Sequence, residues 1–287
     1  MTHESLEGKV ALVTGASRGV GAAAAVALAA AGARVACAAR STAGSPQSTP
    51  GTIDETVERV RSAGGEAMAV PTNLADEAQV EAMVDAAVTA FGGLDILVNN
   101  AAVTFPGDVA LSLRRHDLIM DINLRAPLVA SRRALPHLRR AEAGRILNVS
   151  SVAALVPIPG LMAYGISKIG LEHLTLDLAR ELQLDGIAVN CFRIDVPVAS
   201  EGFVANLPDA DHSDWEPSDV AAEGIVWMLH QPASYTGQRE SMHGLRHREG
   251  IMVSRSARPY GGVPVTELYT GVPESIERLF HEKEKAT

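Results

Sequence analysis

The 287-residue sequence predicts an α/β fold, a doubly wound parallel sheet flanked by helices on both faces. Three observations predict it. Short, fully apolar runs alternate with longer helical patterns. The first run feeds a glycine-rich turn that opens at once into a helix. No repeat or linker breaks the alternation within residues 1–240.

Residues 9–13 are an apolar run ending at Thr14-Gly15 and read as a buried strand entering a turn. An alanine-rich helix follows over 21–31, with Gly32 as its stop. Residues 34–39 form a second buried strand, and the Ser-, Thr-, Pro- and Gly-rich stretch 41–52 a loop. Helix 53–63 and strand 66–70 come next. Helix 76–91 carries Val80, Met83, Val84, Ala87 and Val88 at helical spacing, and strand 95–98 follows it. A helical pattern covers 113–138, with Pro127 and Pro136 as kink points. Strand 145–149, a long helix over 162–184 and strand 187–192 complete the regular part. After Gly237 the pattern weakens to a short strand near 240–245 and a helix over 273–285. Residues 1–250 are expected to form one domain and 251–287 a C-terminal extension.

Composition narrows the function. A net charge of −9 disfavours a general grip on nucleic acid or an anionic membrane. The N-terminus lacks the charged and apolar regions of a signal peptide, and no apolar stretch reaches the roughly 18 residues of a membrane span, so a cytoplasmic protein is expected. Cys37 and Cys191 lie in apolar strand runs and are expected to be buried thiols. Aromatics are only 4 % of the chain, and runs such as Ala22–Ala25 suit helices lying close on a sheet.

The turn Thr14-Gly15-Ala16-Ser17-Arg18-Gly19-Val20-Gly21, between a strand and a helix, has the setting of a Rossmann-type dinucleotide site. Its glycines let the backbone approach a pyrophosphate, and the helix N-terminus offers free N–H groups. The second strand ends at Arg40, with no carboxylate to bond ribose hydroxyls or repel a 2′-phosphate. Arg40, with Ser17 and Arg18, can hold that phosphate, which favours NADP(H) and leaves NAD(H) as the alternative. Farther along, Tyr164 and Lys168 stand four apart on one helix face. An ammonium beside a phenol favours the phenolate, so Tyr164 is expected to titrate below the ordinary tyrosine range and to serve as an acid-base group.

The glycine spacing and the Tyr-x-x-x-Lys pair, over residues 6–238, resemble the short-chain dehydrogenase/reductase family in its single-domain branch. Further motifs carry the likeness. Asn99-Asn100-Ala101-Ala102 matches the motif beside the adenosine, and Ser151 precedes Tyr164 by thirteen residues. Ser167 precedes the lysine, and Asn123 falls on the preceding helix. The resemblance implies a catalytic set of Asn123, Ser151, Tyr164 and Lys168. It implies cofactor contacts from Gly15, Ser17, Arg18, Gly19, Val20, Gly21, Arg40, Asn73, Leu74, Asn100, Ala101, Tyr164 and Lys168. Ser151 and Tyr164 would polarise a carbonyl, and a water-linked proton relay would pass through Lys168 near Asn123. It also implies a substrate lid near 196–216 and a homodimer or homotetramer whose dimer contact uses helices 113–138 and 162–184. The insertion 41–52, with Pro50-Gly51-Thr52-Ile53, is similar to the hydroxysteroid-dehydrogenase-like subgroup.

Five positions depart from the family pattern. Ala102 replaces a glycine, Asn73 an aspartate, Ile194-Asp195 a Pro-Gly pair, and Ala199 a threonine, with Ser200 beside it. An Arg193–Asp195 pair is one reading of the altered strand end. The acids Asp209, Asp211 and Asp214 read as a solvated lid, and His243 and His247 lack a third ligand, so no metal is expected. The expected function is an NADP(H)-dependent oxidoreductase acting on a small-molecule carbonyl or alcohol. The rival is a non-catalytic NADP(H) sensor on the same fold. A sugar-nucleotide epimerase would have another glycine spacing and a larger C-terminal domain.

Overall fold

The computed structural model describes residues 4–107 and 109–258. Among these, seven strands form one parallel sheet: β1 (Val10–Thr14), β2 (Arg34–Ala39), β3 (Ala67–Pro71), β4 (Ile96–Asn99), β5 (Arg145–Ser151), β6 (Ala188–Ile194) and β7 (Arg239–Ser241). Their order is β3-β2-β1-β4-β5-β6-β7. The direction of winding reverses between β1 and β4, and a crevice opens beyond the carboxyl ends of these two strands.

Strand alternation explains why the runs are apolar throughout. Along β1, Val10 and Leu12 face one core while Ala11 and Val13 face the other. The face of Ala11 and Val13 is covered by α1 (Gly19–Ala30), α2 (Ile53–Ser62), α8 (Ser218–Leu229) and α9 (Met242–Glu249), and that of Val10 and Leu12 by α3 (Glu77–Phe91), α5 (Ala126–Leu138) and α6 (Met162–Leu182). α4 (Leu113–Met120) and the short α7 (Glu201–Asn206) lie toward the crevice end of the chain's connections. Ala22, Ala23, Ala24 and Ala25 are all buried, because α1 is enclosed by the sheet, α2 and α8 together.

The helix ends follow local chemistry. Thr52 and Glu55 form a reciprocal capping box at the start of α2. Past α1, the Ala33 amide donates to the Leu28 carbonyl at 3.0 Å, with Gly32 as the turning residue. Gly224 on α8 serves packing: a Cβ there would lie 2.5 Å from the Phe192 ring and 2.6 Å from Met252 Sδ.

Several expectations change. The 113–138 helix is interrupted by a π turn over Asp121–Arg125. Pro127 lacks the N–H that would close an α-helical bond to the Asn123 carbonyl, and Ala126 donates five residues back to Asp121 instead. Pro127 thus begins α5 rather than kinking it. β6 runs two residues past its expected end, to Ile194. The strand expected near 240–245 is β7 followed at once by α9, because the Ser241 hydroxyl accepts from the Gly244 amide and starts a helix. The helix expected over 273–285 lies outside the described residues. Among the described residues, no helix is long and apolar enough to cross a membrane.

Gly224→Ala should therefore destabilise the protein by about 1–3 kcal/mol through overpacking against a buried aromatic ring. Urea denaturation checks it; a loss under about 0.5 kcal/mol would show that α8 and β6 are not held this tightly.

Candidate active site

The crevice end begins with the joint between β1 and β4. The Thr14 hydroxyl donates to the Val98 carbonyl at 3.3 Å and accepts from the Asn100 and Ala101 amides at 3.0 and 3.1 Å. The Asn100 side chain donates back to the Thr14 carbonyl at 2.8 Å. A Cβ on Gly21 would lie 2.3 Å from Asn100 Nδ2, so only glycine lets α1 start this close to the joint. Thr14 is a residue that the sequence reading did not single out. Its signal was a polar side chain closing an apolar strand.

This joint leaves α1 starting with no side-chain cap and no acid in its first turn. Uncapped helix amides beside a glycine turn are suited to a pyrophosphate, so the residues present fit the dinucleotide that the fold implies. Val20 and Gly21 are buried in the first turn of α1. Ser17 is buried as well, beneath the next loop. Gly19, with φ +55°, faces the start of α7: a Cβ on it would meet Ser200 Cβ at 2.8 Å.

Arg18 takes a different position from the one expected. Its guanidinium donates to the carbonyls of Thr49, Pro50 and Gly51 at 2.7–2.9 Å, clamping the 41–52 insertion onto the glycine turn. Burial lowers its pKa, with Glu201 opposing and Arg40 reinforcing the shift. Arg40 is exposed at the end of β2. Asn73 is half-buried and accepts from the Ala75 amide at 3.3 Å, while Leu74 and Ala101 line a small cleft with Ile122.

The other end of the crevice is where β5 meets α6. Three successive β5 residues grip α6, one helical turn apart. Val149 accepts at its carbonyl from the Lys168 ammonium at 2.7 Å. Ser150 donates to Glu172 at 2.8 Å. Ser151, with its hydroxyl accepting from the Ala153 amide at 3.3 Å, stands beside Tyr164. Of the two adjacent serines, Ser151 is the one beside the tyrosine, and Ser150 is committed to the interior. Asn123 lies in the π turn, fully buried. It accepts from the Val103 amide and donates to the Val103 carbonyl and to Ser167 Oγ, at 2.8–3.0 Å. Ser167 in turn donates to the Tyr164 carbonyl at 2.7 Å.

The electrostatics reverse one expectation. Burial pushes Tyr164 above the ordinary tyrosine range, and the hydrogen bond with Ser151 pulls the other way only in part. Lys168 does not offset this, because its ammonium sits 5.6 Å from the ring centroid and is directed to Val149. Burial lowers Lys168 itself to about 8, with Cys191 and Glu172 opposing. Cys37 and Cys191 are free buried thiols, each raised by burial to about 12.

Ile194 lies level with Ser151 across the β5–β6 pair. The partner of Arg193 is Glu172, through two bonds of 2.8 and 2.5 Å, and not Asp195. Asp195 instead accepts from the His243 amide at 2.9 Å, tying α9 to the end of β6. The segment 197–216 closes on itself, the Ala199 amide donating to the Glu216 carbonyl and the Glu216 amide to the Pro197 carbonyl at 2.8 Å each. Phe203 and Trp215 stack inside it with ring centroids 4.6 Å apart. The buried Glu216 accepts from Arg246 Nη2 and from the Arg255 amide at 2.8 Å each. Arg258 pairs with Asp211 at 3.1 Å. The His243 and His247 rings lie 4.3 Å apart, tilted by 52°, and among the described residues no group of three ligating side chains could hold a metal ion.

Residues 9–196 match the short chain dehydrogenase family. The hydroxysteroid dehydrogenase-like protein 2 of Bos taurus is 30 % identical over 289 residues, covering 90 % of this chain and 68 % of its own. Its Homo sapiens namesake is 32 % identical over 249 residues, covering 86 % of this chain and 59 % of its own. The chain therefore spans about three-fifths of the human relative. Among solved structures, a short chain dehydrogenase from Burkholderia cenocepacia in complex with NADP superposes with a TM-score of 0.73 at 35 % identity, over 83 % of this chain and 97 % of that one. A short chain dehydrogenase from Mycobacterium thermoresistibile gives 0.78 at 30 % identity, over 89 % and 94 %.

The depressed Lys168 makes stability depend on pH. An unfolded lysine keeps its proton to 10.5 and the folded one loses it near 8, so between these values the unfolded chain binds more protons and stability rises with pH. Relative to Lys168→Met, the native chain should gain up to roughly 3 kcal/mol across that interval, at about 1.4 kcal/mol per pH unit. Urea midpoints of both proteins on a pH series test this; a constant difference would contradict it.

Proposed function

The chain belongs to the short-chain dehydrogenase/reductase family of nicotinamide-dependent oxidoreductases, and from that premise we propose that it is an NADP(H)-dependent enzyme for the reduction of a small-molecule carbonyl or the oxidation of the matching alcohol. One observation carries the reading. Two neighbouring hydroxyls, Ser151 and Tyr164, stand at the crevice end of the sheet with a buried lysine one helical turn along.

A bound nicotinamide dinucleotide supplies the hydride chemistry. The chain's own groups handle position and protons. Ser151 and Tyr164 donate to the substrate oxygen. Tyr164, raised by burial, holds its proton at neutral pH and delivers it as negative charge grows on that oxygen. Lys168, one turn along α6 and held at the Val149 carbonyl, supplies the proton that restores Tyr164 after transfer. Asn123 fixes the loop at Val103 and the helix at Ser167 as one unit, which keeps Tyr164 aimed. In the alcohol-oxidising direction the same groups act in reverse.

The preference for NADP(H) rests on the end of β2, where Arg40 is exposed and no carboxylate follows the strand. Arg18 adds positive charge beside it while its donors hold the 49–51 backbone. The complex of the Burkholderia cenocepacia relative with NADP agrees with this preference. Self-association is proposed through α5 and α6, which expose Leu128, Met162, Ile166 and Ile169. The free thiols fit a cytoplasmic setting.

Following NADPH absorbance against a panel of aldehydes, ketones and quinones tests the activity. Binding without turnover across the panel would favour the sensor instead. Tyr164→Phe should lower turnover by at least about 100-fold while leaving NADPH affinity within a few-fold; normal turnover would refute the assignment. Arg40→Ala should weaken NADPH binding by about tenfold and leave NADH unchanged, as expected for one lost charge-assisted contact. Equal weakening of both would remove Arg40 from the 2′-phosphate.

A further inference from the structure

Behind the Ser151–Tyr164 pair lies a charged cluster that the reaction above does not use. Glu172 is fully buried on α6, one turn beyond Lys168. Its carboxylate accepts two bonds from Arg193 and one from Ser150, and Arg239 Nη1 lies 3.8 Å away. Arg193 is itself only 5 % exposed. A buried pair of this kind costs desolvation and is weak evidence for stability, so its retention calls for another use.

We propose that Glu172 is a positioning residue whose charge keeps the buried Lys168 protonated for proton transfer, with Arg193 and Ser150 holding the carboxylate in place. This deepens the oxidoreductase reading and rests on it for the use of Lys168.

The charged and titratable groups around the cluster come from every element packed there. They are Tyr164 and Lys168 on α6, Cys191 and Arg193 on β6, Asp195 just after it, and Arg239 on β7. Ser150 contributes only a neutral hydroxyl. Cys191, raised to about 12, is neutral near pH 7. Asp195 is turned to the His243 amide, and Glu172, four residues from Lys168 on the same helix, is the carboxylate that opposes the burial stripping its charge. Arg193 is bonded to both oxygens of that carboxylate and shares its charge. Ser150 also couples the cluster to the β5 end, since its neighbours Val149 and Ser151 hold Lys168 and Tyr164.

The chain has four lysines, Lys9, Lys168, Lys283 and Lys285, so an isotope-labelled Cε resonance of Lys168 is assignable by comparison with Lys168→Met. Its titration should fall by about one pH unit in Glu172→Gln and rise in Arg193→Met, as expected for a charge one helical turn away. The double variant E172M/R193M should lie between the two, and it replaces the pair by apolar side chains that the core tolerates. A purely structural role predicts no such order. An unmoved Lys168 in Glu172→Gln, or a fall in Arg193→Met, overturns the proposal. If Glu172→Gln does not fold, the rise in Arg193→Met decides alone. Carbonyl reduction measured on the same variants separates the two claims. A moving titration without turnover in the native chain ends the oxidoreductase reading only, and turnover with an unmoved Lys168 ends the role of Glu172 only.

Discussion

The joint between β1 and β4 is the constraint on which the site depends. Neighbouring parallel strands whose helices leave on opposite faces cannot close the gap beyond their carboxyl ends. Thr14 and Asn100 fix the width of that gap with four hydrogen bonds, and Gly21 lets α1 begin against it. Everything that would hold a dinucleotide is referenced to this joint: the uncapped start of α1, the buried Ser17, and the loop clamped by Arg18.

The same logic of satisfied polar groups runs through the interior. Asn99 donates to Asn148 and Asn148 to Thr175, at 2.9 Å each, which links β4, β5 and α6 through the middle of the molecule. A buried amide chain of this kind costs little when each member has a partner, and it fixes one register against many. The clasp of Val149, Ser150 and Ser151 on α6 extends that link to the crevice, so the tyrosine is held by backbone and core and not by a mobile loop.

Much of this was legible in the sequence because fully buried strands and alanine-rich helices leave an unambiguous apolar pattern. The glycine turn and the four-residue spacing of Tyr164 and Lys168 were readable at the same level. The π turn was not, since a helical pattern looks alike whichever carbonyl accepts; the absent N–H of Pro127 was the available clue. The partner of Arg193 was open in the sequence, where proximity offers Asp195 as one reading, whereas the pairing that forms is across α6 and β6. The sign of the Tyr164 shift was misjudged as well. Spacing on a helix shows that an ammonium is near, but not that a strand carbonyl has claimed it and that burial prevails. The α9 boundary turned on a single serine, whose capping role a short polar window does not distinguish from a strand residue.

The segment over the crevice begins and ends at one point, because Val198 and Glu216 are bridged and Glu216 is buried under Arg246 and the Arg255 amide. A stretch of chain whose two ends are already brought together has met its closure entropy at the stem, and adding residues to it costs only slowly more. Variation in length or composition between the two feet is thereby insulated from the sheet. The scaffold can exchange the surface it presents to a ligand while the machinery beneath keeps its register.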